Sequence, residues 1–154
     1  MNHKFHQKLV HHFVENLLNQ KKLLDLHNVT FKDKAAKEQV PEFYALADVL
    51  LVSLRKIDLF KNALPSKLFE IMAMEKPILL MVDGEARMFV EKVDAGIYVE
   101  PENSDDLAKK IIYLKQNTEK VQYFGKNGKN YVQQYFNRNK LADDYLDILK
   151  EICD

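Results

Sequence analysis

The sequence predicts an α/β fold in which helices flank a parallel sheet. Short segments rich in Val, Ile and Leu alternate with segments whose apolar residues recur at helical spacing. Two of the short segments, Val49–Leu54 and Pro77–Val82, are apolar almost throughout, as expected for strands buried on both faces. Because strand, helix, strand repeats form right-handed crossovers between parallel strands, we expect a Rossmann-like sheet of about four strands.

The predicted elements follow in chain order. Residues 1–27 are typical of an amphipathic helical segment, whose apolar face carries Phe5, Leu9, Phe13 and Leu17. Residues 28–154 form the predicted domain, and its expected strands are Asn28–Lys32, Val49–Leu54, Pro77–Val82 and Gly96–Glu100. Its expected helices are Val40–Ala47, Ser66–Met74, Glu85–Val93, Ser104–Gln116, Thr118–Tyr135 and Asn139–Ile152.

Composition argues against several classes of protein. The 154 residues are 47% hydrophobic, which suits one globular domain. Lys plus Arg and Asp plus Glu number 23 each, so no excess charge favours nucleic acid or an anionic membrane. Cys153 has no partner for a disulfide, and neither a signal peptide nor a membrane-spanning segment is expected. We expect a cytoplasmic protein, or one held at the inner face of the membrane through a partner.

Four histidines near the N-terminus raise the alternative of a metal site, since His3 and His6 share a helix face as His ligands often do. No cysteine or acidic residue is arranged to complete such a site, so we favour a solvated helix face. No Ser-His-Asp or Cys-His arrangement is evident either.

The most informative segment is Leu59–Val82, LFKNALPSKLFEIMAMEKPILLMV. A predicted helix begins there at Pro65, Ser66 and Lys67 and carries Glu70 one turn later. A helix N-terminus exposes unpaired N–H groups and the positive end of the helix dipole, which favour a phosphate. A carboxylate one turn further accepts hydrogen bonds from the hydroxyls of a ribose. The segment therefore predicts a nucleoside-diphosphate site.

Each of these residues also has a purely structural interpretation. Ser66 is a common helix cap beside a proline, and Lys67 is an ordinary solvated lysine. Lys67 is nevertheless mismatched to the positive helix end, which favours an anionic ligand. The neighbours of Glu70 are apolar, so we expect a buried environment in which an unpaired carboxylate is costly. That expectation favours a functional role for Glu70.

Several blocks of sequence, in order, link the chain to a known family. They begin at about Asn28 and are NVTF, VPEFYALADVLLVSL, ALPSKLFEIMA, KPILL, GEARMFVEKVDAGIYVEPENSDDLAKKI and FGKNGKNYVQQYFNRNKLADDYLDIL. In these blocks the chain resembles the C-terminal, donor-binding domain of GT-B glycosyltransferases of the retaining group 4 family, especially the bacterial polysaccharide enzymes with an ALPSKLFE segment.

The resemblance implies a nucleoside-diphosphate sugar as donor, a polysaccharide or glycolipid acceptor, and no metal or other cofactor. It assigns nucleotide and diphosphate binding to Asn62, Ala63, Leu64, Pro65, Ser66, Lys67, Leu68 and Glu70, and it identifies no catalytic residue. Many members carry two glutamates separated by seven residues. Glu70 matches the second and Asn62 stands in place of the first, so contacts to the sugar fall to the loop backbone. A further departure is Glu75, where glycine is usual and would cap the helix better.

The resemblance also implies a partner. The acceptor domain of the family, and the first strands of the donor domain with their glycine-rich loop, have no counterpart in the sequence. We therefore expect the acceptor domain on the same or a separate chain, and no transfer by this chain alone. The alternatives are a non-catalytic sugar-nucleotide-binding or interaction subunit and, less favoured, a sugar-nucleotide epimerase.

Two surfaces carry further expectations. A homodimer is expected to use an open sheet edge or the N-terminal helix. The charged segment Lys126–Lys140 is expected to be solvated, while the family's final helix assigns Tyr131, Tyr135 and Phe136 to a junction with the acceptor domain.

Overall fold

The computed structural model describes residues 14–153, without the side chains of residues 138–140 and 153. The chain divides into two compact units, Met1–Lys37 and Glu38–Asp154. The expected boundary after residue 27 stays a prediction. Over the described residues, every helix is too short or too polar to cross a membrane.

The first unit contains a helix, α1, that covers residues 14–23. Phe5, Leu9 and Phe13 of the expected apolar face, and the N-terminal histidines, lie outside the described residues. The predicted strand Asn28–Lys32 is wrong, because residues 29–36 form no regular element. This segment alternates only two apolar residues with polar ones, and such a short strand is stable only when a neighbouring strand pairs with it.

The second unit contains a three-stranded parallel sheet in the order β1-β2-β3. The strands are β1 Leu50–Ser53, β2 Ile78–Met81 and β3 Gly96–Tyr98. The ends of each strand lie within two residues of the predicted ends. The observed strands are shorter because a strand ends where the neighbouring strand no longer provides hydrogen-bond partners. All four residues of β2 are buried, so the nearly continuous apolar sequence of this strand is explained by helices on both faces.

Six helices accompany the sheet in this unit. They are α2 Val40–Leu46, α3 Lys67–Ala73, α4 Glu85–Val93, α5 Ser104–Gln116, α6 Thr118–Tyr135 and α7 Arg138–Cys153. Three of the predicted helices have the predicted bounds, and the others differ by one residue at one or both ends. A 3₁₀ turn, Asp58–Phe60, lies between β1 and α3.

The core lies on both faces of β2. Ile78 and Leu80 belong to a buried cluster with residues of α3 and α4. Leu79 and Met81 point to the opposite face and join a second cluster with Leu114 of α5. Because successive side chains of β2 point to opposite faces of the sheet, this one strand contributes to both apolar clusters.

Two helices of the domain end in turns that normally use glycine. After α3, Glu75 has φ of 58°, and after α4, Asp94 has φ of 54°. The amide of Glu75 donates to the carbonyl of Met72 at 2.9 Å, and the next amide donates to Ile71 at 3.2 Å. This is the Schellman arrangement, built here on an acidic residue. Glutamate was expected to cap this helix less well than glycine. Glu75 nevertheless adopts the left-handed conformation that the cap requires.

Helix α6 contacts both of these turns. A Cβ built on Gly125 would lie 2.3 Å from the carbonyl oxygen of Glu75, so only glycine permits this approach. Asn127 donates from Nδ2 to the carbonyl of Asp94 at 3.1 Å. Lys129 Nζ donates to Glu75 Oε2 at 2.7 Å. The prediction of a solvated face is therefore wrong for this part of Lys126–Lys140, and it holds for the exposed residues 133–137.

Two glycines of α6 provide a matched test of that approach. Gly125→Ala and Gly128→Ala each gain about 1 kcal/mol of helix propensity. The new Cβ at Gly125 meets a backbone carbonyl at 2.3 Å, whereas at Gly128 it meets only side-chain atoms, the nearest being Met72 Cγ at 2.9 Å. We expect Gly125→Ala to lower the free energy of unfolding by about 1–3 kcal/mol and Gly128→Ala to lower it clearly less. Urea unfolding of both variants measures this, and equal losses would contradict it.

The Glu75–Lys129 ion pair predicts a dependence of stability on pH. The hydrogen bond and charge of Lys129 hold the pKa of Glu75 below its ordinary value of 4.5. A lowered folded pKa stabilises the fold above the unfolded pKa, and this stabilisation is lost as pH falls through the folded value. We expect Lys129→Met to lower Tm at pH 7 and the difference to shrink below about pH 4. If the difference in Tm between Lys129→Met and wild type persists below about pH 4, packing of the Lys129 methylene groups accounts for it rather than the ion pair.

Candidate functional site

The loop between β1 and α3, residues 54–66, lies at the carboxyl edge of the sheet. The three strands are parallel, so their carboxyl ends meet at this edge, where open α/β sheets bind ligands. Residues of the loop line a cavity of about 260 Å³ together with Val82, Asp83 and Pro101, which follow β2 and β3. The predicted site residues occupy the last part of this loop and the first turn of α3.

The start of α3 presents free donors. Ser66 stands at the N-cap position with φ −57° and ψ −30°, and its side chain makes no capping hydrogen bond. The structural alternative of a side-chain cap is therefore not supported. Within residues 14–153, no acceptor pairs with the amide of Ser66 or Lys67, whereas the next amide, of Leu68, donates to Pro65 at 3.0 Å. Two unpaired N–H groups thus lie beside a half-buried lysine.

The other residues of the predicted diphosphate site differ in exposure. Asn62 and Leu64 are exposed, and Ala63 and Pro65 are half-buried. The amide of Ala63 donates to Phe60 at 3.1 Å, which closes the 3₁₀ turn. The side chain of Leu68 is fully buried. Leu68 therefore contributes packing, and the structure does not bring its side chain to the surface of the loop.

The expected burial of Glu70 is wrong. Leu68, Ile71 and Met72 are buried, but Glu70 lies on the exposed side of the helix. Its apolar neighbours in sequence pack inward because a helix turns by about 100° per residue. Among the described residues no donor pairs with its carboxylate. Burial raises the pKa of the Tyr44 hydroxyl, and the negative charge of Glu70 adds to that rise.

A groove of about 410 Å³ runs along the exposed side of α3. Its lining residues are Ser66, Phe69, Glu70, Ala73, Val132, Phe136 and Leu141. The ring centroid of Phe69 lies 4.6 Å from that of Phe136 and 5.4 Å from that of Phe89. Two of the predicted site residues, Ser66 and Glu70, thus share one groove with an aromatic wall, and this arrangement offers an apolar surface beside polar groups.

A polar network beside the loop was not anticipated from the sequence. Lys56 forms an ion pair through Nζ with Glu100. The Tyr98 hydroxyl lies 2.6 Å from Asp83 Oδ1 and 2.9 Å from Glu100 Oε2. The Arg87 guanidinium stacks 3.8 Å above the Tyr98 ring. Strands β2 and β3 are thereby connected to the start of the loop.

The charges of this network shift the pKa values of its members. Lys56 holds the pKa of the Glu100 carboxyl below its ordinary value, and the hydrogen bond from Tyr98 adds to that effect. Burial raises the pKa of the Tyr98 hydroxyl, and the two carboxylates beside it raise it further. The sequence contained a signal, because Asp83 directly follows one predicted strand and Glu100 is the last residue of another. Side chains at those positions meet at one edge of a parallel sheet.

The residues described offer no evident metal site. Within residues 14–153, no three His, Cys, Asp or Glu side chains are grouped so as to hold an ion. The carboxylates in and beside the loop instead pair with Lys56, Lys61 and Tyr98.

Solved structures show the same fold. Sucrose-phosphate synthase from Thermosynechococcus elongatus superposes with a TM-score of 0.73 at 22% identity, over 90% of this chain and 34% of that one. HepE from Anabaena, crystallised in complex with UDP-glucose, gives a TM-score of 0.74 at 23% identity, over 92% of this chain and 37% of that one. The C-terminal domain of the group 1 family glycosyl transferase LpcC from Francisella tularensis gives 0.66 at 20% identity, over 82% and 63%.

These likenesses establish an α/β arrangement that matches the GT-B glycosyltransferase fold. The chain spans little more than a third of the first two proteins. No curated protein sequence matches the chain significantly. The sequence profile of the glycosyl transferases group 1 family matches residues 11–131, which include all three strands and the whole predicted site. The chain therefore belongs to the glycosyl transferases group 1 family.

Proposed function

We propose that this chain binds a nucleoside-diphosphate sugar and supplies the donor half of a retaining, group 4 glycosyltransferase. The observation that carries the proposal is the family match over residues 11–131. The acceptor is a polysaccharide or glycolipid of a bacterial pathway, as the ALPSKLFE segment suggests. The partner is the acceptor domain, on the same or a separate chain.

The chemistry of the reaction fits the groups at the start of α3. In glycosyl transfer the bond from the anomeric carbon to the diphosphate breaks, the acceptor oxygen bonds to that carbon, and the acceptor hydroxyl loses its proton. Negative charge therefore grows on the leaving diphosphate. Donors fixed before the reaction stabilise such charge, and the free amides of Ser66 and Lys67 are suitable donors. No metal is required in this proposal.

The exposed carboxylate of Glu70 suits the ribose. This carboxylate lies one turn from Ser66 in the same groove, and no donor among the described residues forms a hydrogen bond with it. A carboxylate accepts hydrogen bonds from two neighbouring hydroxyls at once. The proposal assigns contacts with the sugar to the loop backbone at Asn62, Ala63 and Leu64.

Replacement of Glu70 tests this assignment. We expect Glu70→Gln to weaken binding of UDP, GDP or ADP by about 1–3 kcal/mol, because charge-assisted hydrogen bonds to the ribose are weakened. Since Glu70 is exposed and unpaired, Tm should not change. Isothermal titration calorimetry and thermal unfolding measure the two quantities.

The matched control is Glu119→Gln, which changes the same residue type in the first turn of α6. It should leave nucleotide affinity unchanged. If none of the three nucleotides binds to the wild-type chain at millimolar concentration, the proposed function is wrong. If Glu70→Gln binds as well as wild type, only the ribose assignment is wrong.

A transfer assay separates this proposal from its alternative, a non-catalytic binding subunit. Transfer requires the acceptor hydroxyl to be positioned against the donor carbon in a site that excludes water. We expect no transfer from labelled UDP-glucose or GDP-sugars to membrane extracts by this chain alone. Addition of an acceptor domain from a group 1 glycosyltransferase should restore it. Binding of nucleotide without transfer in any mixture would favour the alternative.

A further inference from the structure

We propose that Lys56, Tyr98 and Glu100 are positioning residues that hold the β1–α3 loop in the form that binds the donor. The inference rests on the proposed function, because it concerns the same loop. It assigns to three residues outside the predicted site a role in donor affinity.

The first step concerns what supports the loop. Beneath it lies the cavity of about 260 Å³, so the loop does not pack tightly against the ends of β2 and β3. Its side chains at Ile57 and Leu59 are 46% and 77% exposed. Residues 57–59 therefore contribute little packing energy to oppose the conformational entropy of this part of the loop. Other contacts are needed to define its conformation there.

The second step identifies those contacts. At the start of the loop, the Lys56 amide donates to Glu102 Oε1 at 3.2 Å, and Nζ pairs with Glu100. Further along, the Lys61 carbonyl accepts from the amide of Glu85 at 2.8 Å. These contacts lie on either side of the 3₁₀ turn. The second, at Lys61, comes immediately before Asn62, where the predicted donor-binding residues begin.

The third step explains why the anchors are rigid. The Glu100 carboxylate is held by the Tyr98 hydroxyl at 2.9 Å, and its own amide donates to Asp106 Oδ2 at 3.0 Å. Tyr98 belongs to β3, and its ring is covered by Arg87 of α4. The position of Lys56 is thus set by the sheet and by two helices rather than by the loop itself.

The cavity itself is a weaker candidate for a ligand site. Of the charged residues that line it, Lys56 pairs with Glu100, Lys61 with Asp58, and Asp83 with Arg87, and Arg55 is the one without an ion pair within residues 14–153. All but one of these charges are thus compensated within the protein. The paired groups at this edge therefore support the loop.

The test compares Lys56→Met with Lys129→Met. Each removes one ion pair with a glutamate, but the second pair lies at the opposite edge of the sheet. If loss of the Lys56 tie reduces the ordered loop to about 10–30% of molecules, apparent affinity falls about three- to tenfold. Calorimetry with UDP, GDP and ADP measures this. Lys56→Arg should restore most of the affinity, and Tyr98→Phe should weaken it in the same direction.

Hydrogen exchange supplies a second readout. Amides of residues 57–66 should exchange faster in Lys56→Met than in wild type, and at the wild-type rate in Lys129→Met. Nucleotide affinity equal in Lys56→Met and Lys129→Met, or unchanged loop exchange, overturns the inference and leaves the proposed function standing. A wild-type chain that binds no nucleotide overturns both.

Discussion

The close approach of α6 to the turn between α3 and β2 is the constraint on which the rest of the domain depends. At Gly125 the helix comes so near the Glu75 carbonyl that no larger residue fits. This contact fixes the C-terminal end of α3, and a rigid helix transmits that placement to its other end. The position of Ser66 and Glu70 at the carboxyl edge therefore follows from packing at the amino edge.

Polar contacts support the connections to α3 at both edges of the sheet. At the amino edge, the backbone of α6 meets the Glu75 carbonyl, and the Glu75–Lys129 ion pair lies beside that contact. At the carboxyl edge, a cavity lies below the loop and charged groups connect Lys56 to Glu100. Proteins commonly place binding residues on loops of a rigid scaffold. Close packing within the core preserves the fold, while the polar contacts of Lys56 hold the loop in one conformation.

Much of the fold could be predicted from local patterns, and the exceptions have physical causes. The continuous apolar sequence of β2 and the helical spacing in α4 and α5 are local signals, and these elements formed where expected. Asn28–Lys32 carried the pattern of a strand, but a strand depends on a partner that its own sequence does not specify. Burial of Glu70 was misjudged because neighbours in sequence point to different sides of a helix.

The candidate site shows the same limit. Residues 62–68 and Glu70 were predicted because they are nearly contiguous and carry a family motif, whereas the network around Tyr98 unites residues from separate segments of the chain. Hydrogen-bond partners 15 to 46 residues apart leave no spacing pattern in a sequence. Only the rule that parallel strands end at one edge could have suggested them.

The turns that end the helices have a consequence for engineering. Asp25, Glu75 and Asp94, each shortly after a helix, have left-handed backbones, although a residue with a side chain costs about 1 kcal/mol more than glycine in that region. The chain has only four glycines, and it places Gly125 and Gly128 where helices touch rather than where the backbone reverses. Thermostability can therefore be gained with glycine at Asp94, whose contact with α6 is made by its backbone carbonyl, without altering either the core or the donor loop.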